Sequence, residues 1–76
     1  METSLWNLKN GERGQILALP DSSSFQRLQD VGFTPGVEVR ALLRAPLGDP
    51  MLVAALSSAF AIRREDAEKI SVRRLS

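Results

Sequence analysis

The stretch SFQRLQDVGFTPGVEV, residues 24–39, contains the signals for a helix, a turn and a strand in one short run. Phe25, Leu28 and Val31 recur at steps of three, which predicts a helix over about Ser24–Val31 with one apolar stripe. Gly32 follows at the position where helices commonly end in a left-handed residue. Because this helix is only about two turns long, it needs packing against the rest of the chain to persist.

The residues after this helix predict a tight turn and then a strand. Pro35 and Gly36 stand where a type II turn has its second and third residues, and the third residue needs a positive φ. Beyond the turn, the run Val37-Glu38-Val39-Arg40 alternates apolar and polar side chains, which is typical of a half-buried strand. We expect this strand to continue through Leu43.

Outside this segment, apolar or alternating runs bounded by glycine, proline or serine predict four more strands. They are Gly14–Leu19, Met51–Leu56, Ala59–Ile62 and Ile70–Val72, with a tight turn at Ser57-Ser58 and a short helical turn near Arg64–Lys69. About five short strands and one clear α-helix indicate a mainly β fold with short helices. Closing such strands on themselves removes exposed sheet edges, so we expect a small β-barrel.

The composition fits one small domain and restricts its chemistry. The chain has 76 residues, of which 43% are hydrophobic and 25% charged, and its formal net charge is +1; we expect residues 1–76 to form a single domain. Histidine, cysteine and tyrosine are absent from the sequence. Acid–base catalysis usually relies on such side chains, so we expect no enzyme activity and no catalytic residue.

The expected location is the cytoplasm. No apolar run approaches the ~20 residues that span a bilayer. The first ten residues include an acid, Glu2, and have no apolar run of the kind found in secretory signals. The lack of cysteine also fits a reducing compartment.

The run Met51–Ile62 carries no charged side chain. Strand alternation places Leu52, Ala54 and Leu56 on one face and three further apolar residues on the other, although an outward face is normally polar. Two interpretations stay open at this point. The strand is buried on both faces, or it forms a surface that contacts a partner or pairs with itself.

A loop with two prolines, residues 45–50, precedes this run, and prolines cannot continue a strand interior. Leu47 is an apolar residue within this loop, so it is either a partner contact or a plug over the end of the barrel. The candidate partner-binding residues are Leu47, Gly48, Asp49, Pro50, Leu52, Ala54 and Leu56.

Basic residues toward the C-terminus suggest a second class of function, nucleic-acid binding. Arg63, Arg64, Arg73 and Arg74 could form a basic edge on a small barrel. Single-strand binders usually combine such bases with exposed aromatic rings, whereas the aromatic residues here fit the core pattern. Since the net charge is also close to zero, no nucleic-acid partner is expected, and a nucleic-acid-binding barrel is kept as the alternative.

Three segments carry a resemblance to a known family. Leu8, Gly11, Gly14 and Ile16 resemble the motif L-x-x-G-x-x-G-x-I, residues 27–36 resemble R-L-x-x-[ML]-G-[FIL]-x-P-G, and residues 45–50 resemble A-P-L-G-D-P. By these motifs, over about Leu5–Val72, the chain resembles the FeoA family, small cytosolic proteins of bacterial ferrous iron transport. The chain departs from the family pattern at Val31 and near Ser57-Ser58, where methionine or leucine and glycine are more usual.

The resemblance implies an SH3-like barrel and a set of positions that shape it. These motif positions are Gly11, Gly14, Leu28, Gly32, Pro35, Gly36, Pro46 and Arg63. It also implies a non-enzymatic accessory role in Fe(II) uptake, by binding the cytosolic GTPase region of a ferrous iron transporter (FeoB-like). The protein would then reach the membrane only through the transporter, and self-association stays open. Because the family also resembles a domain of iron-dependent repressors, a metal-responsive domain is a further alternative.

An iron system raises the question of a metal site. First-row metals such as Fe(II) favour imidazole and carboxylate ligands, and this chain offers only carboxylates and carbonyls. Glu65, Asp66 and Glu68 are close in sequence, but acids at a helix start also favour the helix dipole. We therefore expect no intrinsic cofactor and no specific metal ligand, and at most adventitious divalent ions at surface carboxylates.

Overall fold

The computed structural model describes residues 2–76, and six antiparallel strands form one sheet in the order β1-β6-β2-β3-β4-β5. The strands are β1 Glu2–Ser4, β2 Arg13–Ala18, β3 Glu38–Arg44, β4 Met51–Ala55, β5 Ser58–Ile62 and β6 Ser71–Arg74. The helices are α1 Ser23–Asp30, α2 Arg64–Ala67 and a 3-10 turn at Leu5–Asn7. The mainly β fold with short helices is confirmed. In this part of the chain, no helix is long and apolar enough to cross a membrane.

The hydrophobic core lies on one side of the sheet, as the alternation in the strands predicts. In β4, Met51, Val53 and Ala55 are buried, whereas Leu52 and Ala54 between them are half-exposed. The other buried apolar residues come from every part of the fold: Leu5, Leu8, Ile16, Phe25, Phe33, Val39, Ala41, Ile62, Ala67, Ile70 and Val72. One continuous core therefore holds the sheet and the helices together.

The helix–turn–strand segment forms as predicted, within one residue at each helix end. Gly32 ends α1 with φ +99°, and Gly36 takes φ +96° in the turn closed by the Val37 N–H donating to the Thr34 carbonyl over 3.1 Å. The apolar stripe is shorter than expected. Phe25 is buried and Leu28 half-buried, but Val31 is 60% exposed because it follows the last helical residue.

The expectation of about five strands closed into a barrel needs two corrections. The structure has a sixth strand, β1, which pairs with β6 through Thr3 and Val72; it is too short and too polar to show in the sequence pattern. The sheet is also not closed. Among residues 2–76, β1 pairs only with β6 and β5 pairs only with β4, so two sheet edges remain open.

The turn between β4 and β5 lies one residue earlier than expected. Ala55 pairs with Ser58, so the two turn residues are Leu56 and Ser57, with φ +54° and +63°. A two-residue hairpin turn of this kind needs positive φ at both positions, because only then does its twist match that of the strands. The turn therefore places two residues with side chains in a backbone region that favours glycine or asparagine.

Ser57→Gly should stabilise the protein by about 1 kcal/mol, because a left-handed conformation costs a side-chain-bearing residue roughly 1–2 kcal/mol and glycine much less. The measurement is the free energy of unfolding from urea denaturation. Ser58→Gly is the matched control, since Ser58 lies in β5 and has extended backbone. This control should lose about 0.5–1 kcal/mol from the added chain entropy. Equal effects of the two substitutions would contradict the placement of the turn.

Candidate functional site

The loop between β3 and β4, residues Ala45–Pro50, is closed by its own backbone. The Gly48 N–H donates to the Ala45 carbonyl over 2.7 Å, and the Ala45 N–H donates to the Pro50 carbonyl over 2.9 Å. Gly48 has φ +91° and the Asp49–Pro50 peptide bond is cis. The two hydrogen bonds give the loop one defined shape.

Asp49 connects this loop to α2. Its Oδ1 accepts a hydrogen bond from the backbone N–H of Arg64 over 2.9 Å. Arg64 is the first residue of α2, and helices leave their first N–H groups without a partner inside the helix. The Asp49 carboxylate thus caps a helix that starts fifteen residues further along the chain.

Arg44 holds the other end of the loop against the start of the chain. Its guanidinium donates to the carbonyls of Trp6 and Leu8, the latter over 3.0 Å, and to Asn10 Oδ1 over 3.0 Å. It also lies over the Trp6 ring, 4.7 Å from the centroid, and the Arg64 guanidinium lies 5.2 Å from the same centroid. The Trp6 ring is therefore the common contact of the residues that precede the loop and begin α2.

Leu47, in the middle of this loop, is 98% exposed. This placement contradicts the interpretation of Leu47 as a plug over the barrel end, since a plug would be buried, and the partner contact stays a prediction. A single exposed leucine is ordinary on a protein surface. Here, however, the loop is held at both of its ends, so the backbone that carries this side chain has a defined position.

An apolar face lies next to the loop, on the outer side of β3, β4 and β5. Leu43, Leu52 and Ala61 form one row across these three strands, and Ala54 and Ala59 belong to the next row, which begins with Arg40 on β3. We call these five residues the outer face. Leu43 is 48% exposed and both alanines of β5 are exposed, so β4 is buried on one face and partly open on the other.

The structure does not bring all candidate partner-binding residues together. Gly48, Asp49 and Pro50 share the loop with Leu47, and Leu52 pairs with Leu43 directly beside it. Leu56 lies at the opposite end of β4, five residues or about 16 Å beyond Met51, where its Cδ1 approaches Gly32. Leu56 is thus separated from the loop, and Ala54 lies between the two ends.

Leu42 and Leu43 were not singled out by the sequence reasoning, although both are exposed. The register between β3 and β4 shifts between Ala41 and Leu43, which is a bulge that places an extra residue in β3. Two consecutive leucines after a clean alternation are the sequence signal for this bulge. The hydrogen bonds of Arg44 and Asp49 have no comparable signal in the sequence, because they join residues far apart in the chain.

The motif positions support turns and close approaches. Positive φ occurs at Gly11, Gly32 and Gly36, and a side chain at Gly14 would meet Leu8 Cδ1 at 3.1 Å and the Arg73 carbonyl at 3.3 Å. Leu28 packs against the core, while Pro35 and Pro46 are exposed turn residues. Arg63 precedes α2 as its N-cap residue and makes no side-chain cap hydrogen bond.

The acidic and basic residues considered for other functions pair mainly with each other. Arg63 lies 3.9 Å from Glu65, Arg64 lies 3.1 Å from Glu68, and Arg74 lies 3.3 Å from Glu12. Three of the four arginines of the predicted basic edge are therefore in ion pairs. Within residues 2–76, no three acidic side chains come together as metal ligands would.

Comparison with known proteins agrees with this fold. The chain matches the FeoA domain family over residues 3–74. The solution structure of a FeoA protein from Chlorobium tepidum is 33% identical, with a TM-score of 0.90 and coverage of 97% of this chain and 71% of that one. A zinc complex of Stenotrophomonas maltophilia FeoA is 27% identical, with a TM-score of 0.79 and coverage of 92% and 88%. That protein is described as an SH3 domain protein and proposed as a bacterial ferrous iron transport activating factor.

A manganese-dependent transcriptional repressor shares the fold at 21% identity, with a TM-score of 0.84 over 97% of this chain and 42% of the repressor. No curated protein matches the chain significantly. The sheet, the short helices and these neighbours define a small SH3-like β protein. Within that class, the chain belongs to the FeoA family, which is associated with ferrous iron transport. The resemblance seen in the sequence is thereby confirmed.

Arg44→Lys should destabilise the protein by about 1–2 kcal/mol, because an ammonium cannot replace a guanidinium that both stacks on a ring and donates to three oxygens. Urea denaturation monitored by the fluorescence of Trp6, the single tryptophan of the chain, measures the effect. Arg40→Lys is the matched control on the same strand. Arg40 is exposed and in no ion pair of residues 2–76, so its substitution should change stability by less than about 0.5 kcal/mol.

Proposed function

We propose that this protein is a non-enzymatic, cytoplasmic accessory protein of bacterial Fe(II) uptake, acting as a single domain. It docks on the cytosolic GTPase region of a ferrous iron transporter through Leu47 and the adjoining outer face. The observation that carries the proposal is the exposure of Leu47 on a loop held at both ends. Membership of a ferrous iron transport family supports the choice of partner.

The Ala45–Pro50 loop favours docking because it is ordered before any partner binds. A flexible loop loses conformational freedom when it docks, and that loss reduces affinity. The Ala45–Pro50 loop is already ordered by its internal hydrogen bonds, by Asp49 and by Arg44. Leu47 can therefore enter an apolar pocket of a partner without a large ordering cost, as interface residues that dominate affinity do.

The outer face would extend this contact. Leu43 and Leu52 lie at the base of the loop and carry no charge, so a partner that covers Leu47 can also cover them. The absence of histidine, cysteine and tyrosine supports a role in binding without chemistry. A protein of this kind influences transport by preferring one conformation of its partner, because binding shifts the equilibrium toward the state that it binds more tightly.

Leu47→Asp should weaken docking by about 30-fold or more, as expected for loss of an apolar side chain at the centre of a contact. Binding is measured by calorimetry against the purified GTPase region of the transporter, with and without GTP. The circular dichroism spectrum should stay native because Leu47 makes no core contact. Leu75→Asp is the matched control, since Leu75 is an exposed leucine outside the loop and the outer face. Equal affinities of the two folded variants would remove Leu47 from the contact.

Asp49→Ala tests whether the order of the loop matters. Loss of the cap on α2 should cost about 1 kcal/mol of stability. Docking should weaken roughly 3- to 10-fold, because the loop then has to be ordered on binding. Asp49→Asn keeps the Oδ1 acceptor and should bind like the unchanged protein. An Asp49→Ala variant with full affinity would show that docking does not depend on a fixed loop.

A further inference from the structure

The two open edges of the sheet differ in how well they are protected against pairing with another strand. β1 has three residues, all polar, and includes the acid Glu2. β5 is Ser58-Ala59-Phe60-Ala61-Ile62, without charge, proline or bulge. Edge strands are normally protected by such features, because unpaired N–H and C=O groups attract further strands. β5 has none of these forms of protection.

The geometry of the β4–β5 hairpin shows which backbone groups are free. A two-residue turn makes Ala55 and Ser58 a pair that exchanges hydrogen bonds, and such pairs then alternate along an antiparallel ladder. Phe60 is therefore bonded to β4, whereas the N–H and C=O groups of Ala59 and Ala61 point away from it. No backbone or side-chain group of residues 2–76 hydrogen-bonds with the main chain of either alanine, and both alanines are exposed.

We propose that β5 is a self-pairing edge, at which a second copy of this chain adds its own β5 antiparallel about a two-fold axis at Phe60. In this register Ala59 lies opposite Ala61 of the other copy, and the reverse pair forms by symmetry. Each pair exchanges two hydrogen bonds, so the four free groups on each copy are all satisfied. Such a contact closes on itself and yields a dimer.

Size and charge also favour a second copy as the occupant. The side chains that meet are alanine with alanine, Phe60 with its counterpart, and Ser58 with Ile62, and none of them carries a charge. The same register places Arg63 opposite Ser57 of the other copy, so no like charges face each other. Ala59 and Ala61 are in register with Ala54 and Leu52, and the outer faces of the two copies would therefore become continuous. An interface of one short strand is small, which makes the dimer transient.

Sedimentation equilibrium on the whole chain tests the proposal. The weight-average mass should rise from 8.4 kDa toward twice that value as the concentration increases, over a range of about 10 µM to 1 mM expected for a small contact. Ala59→Lys with Ala61→Lys places lysine opposite lysine at both pairs and should keep the protein monomeric. Ala59→Lys with Ala61→Glu places opposite charges at both pairs, so it should dimerise at least as well as the unchanged chain.

Circular dichroism and thermal unfolding establish that both double variants fold. If the variant with two lysines does not fold, Ala61→Pro takes its place, because it removes an N–H group that points away from β4 and leaves the ladder intact. That variant should also stay monomeric. A wild-type mass of 8.4 kDa up to about 1 mM would overturn the proposal. Identical association of the two folded double variants would do the same, since this register places like charges opposite each other in one variant and opposite charges in the other.

Discussion

The Arg44 guanidinium connects parts of the chain that local structure alone would not join. It donates to the carbonyls of Trp6 and Leu8 and to the side chain of Asn10, and it stacks on the Trp6 ring. These groups belong to the first ten residues, whereas Arg44 ends β3. The segment between β1 and β2 is thereby fixed at the base of the loop that follows Arg44, and the position of that loop depends on this contact.

The exposed Leu47 depends on the same base. An apolar side chain in solvent adds nothing to stability, so the loop that carries it has to be held by other contacts. Arg44 on one side and the Asp49 cap of α2 on the other provide them. Arg44 and Asp49 therefore stabilise the loop, while Leu47 between them stays exposed to solvent. Exposed loop residues on a rigid scaffold are where proteins commonly place their binding contacts.

The open sheet has a comparable consequence on the other side of β4. An SH3-like fold of this size has two edges to protect, and here one is short and polar while the other is uncharged. Together with Leu43, Leu52 and Ala54, the uncharged strand forms the outer face, which the exposed Arg40 borders on β3. None of the five residues of the outer face takes part in an ion pair of residues 2–76, such as Arg13–Glu38 or Arg74–Glu12.

The helix, most turns and most strands are predictable from the sequence, because they depend on neighbours a few residues apart: the spacing of Phe25 and Leu28, the positive φ at Gly32 and Gly36, the alternation in β4. Its motifs also identified the family. The folded chain adds what the sequence does not show: β1 pairs with β6, the sheet stays open, Val31 and Leu47 are exposed, and Leu56 is apart from the loop. The pairing of β1 with β6 joins residues distant in the chain, and so do the contacts of Arg44 with Trp6 and of Asp49 with Arg64 that hold the loop of Leu47. No local pattern records such contacts.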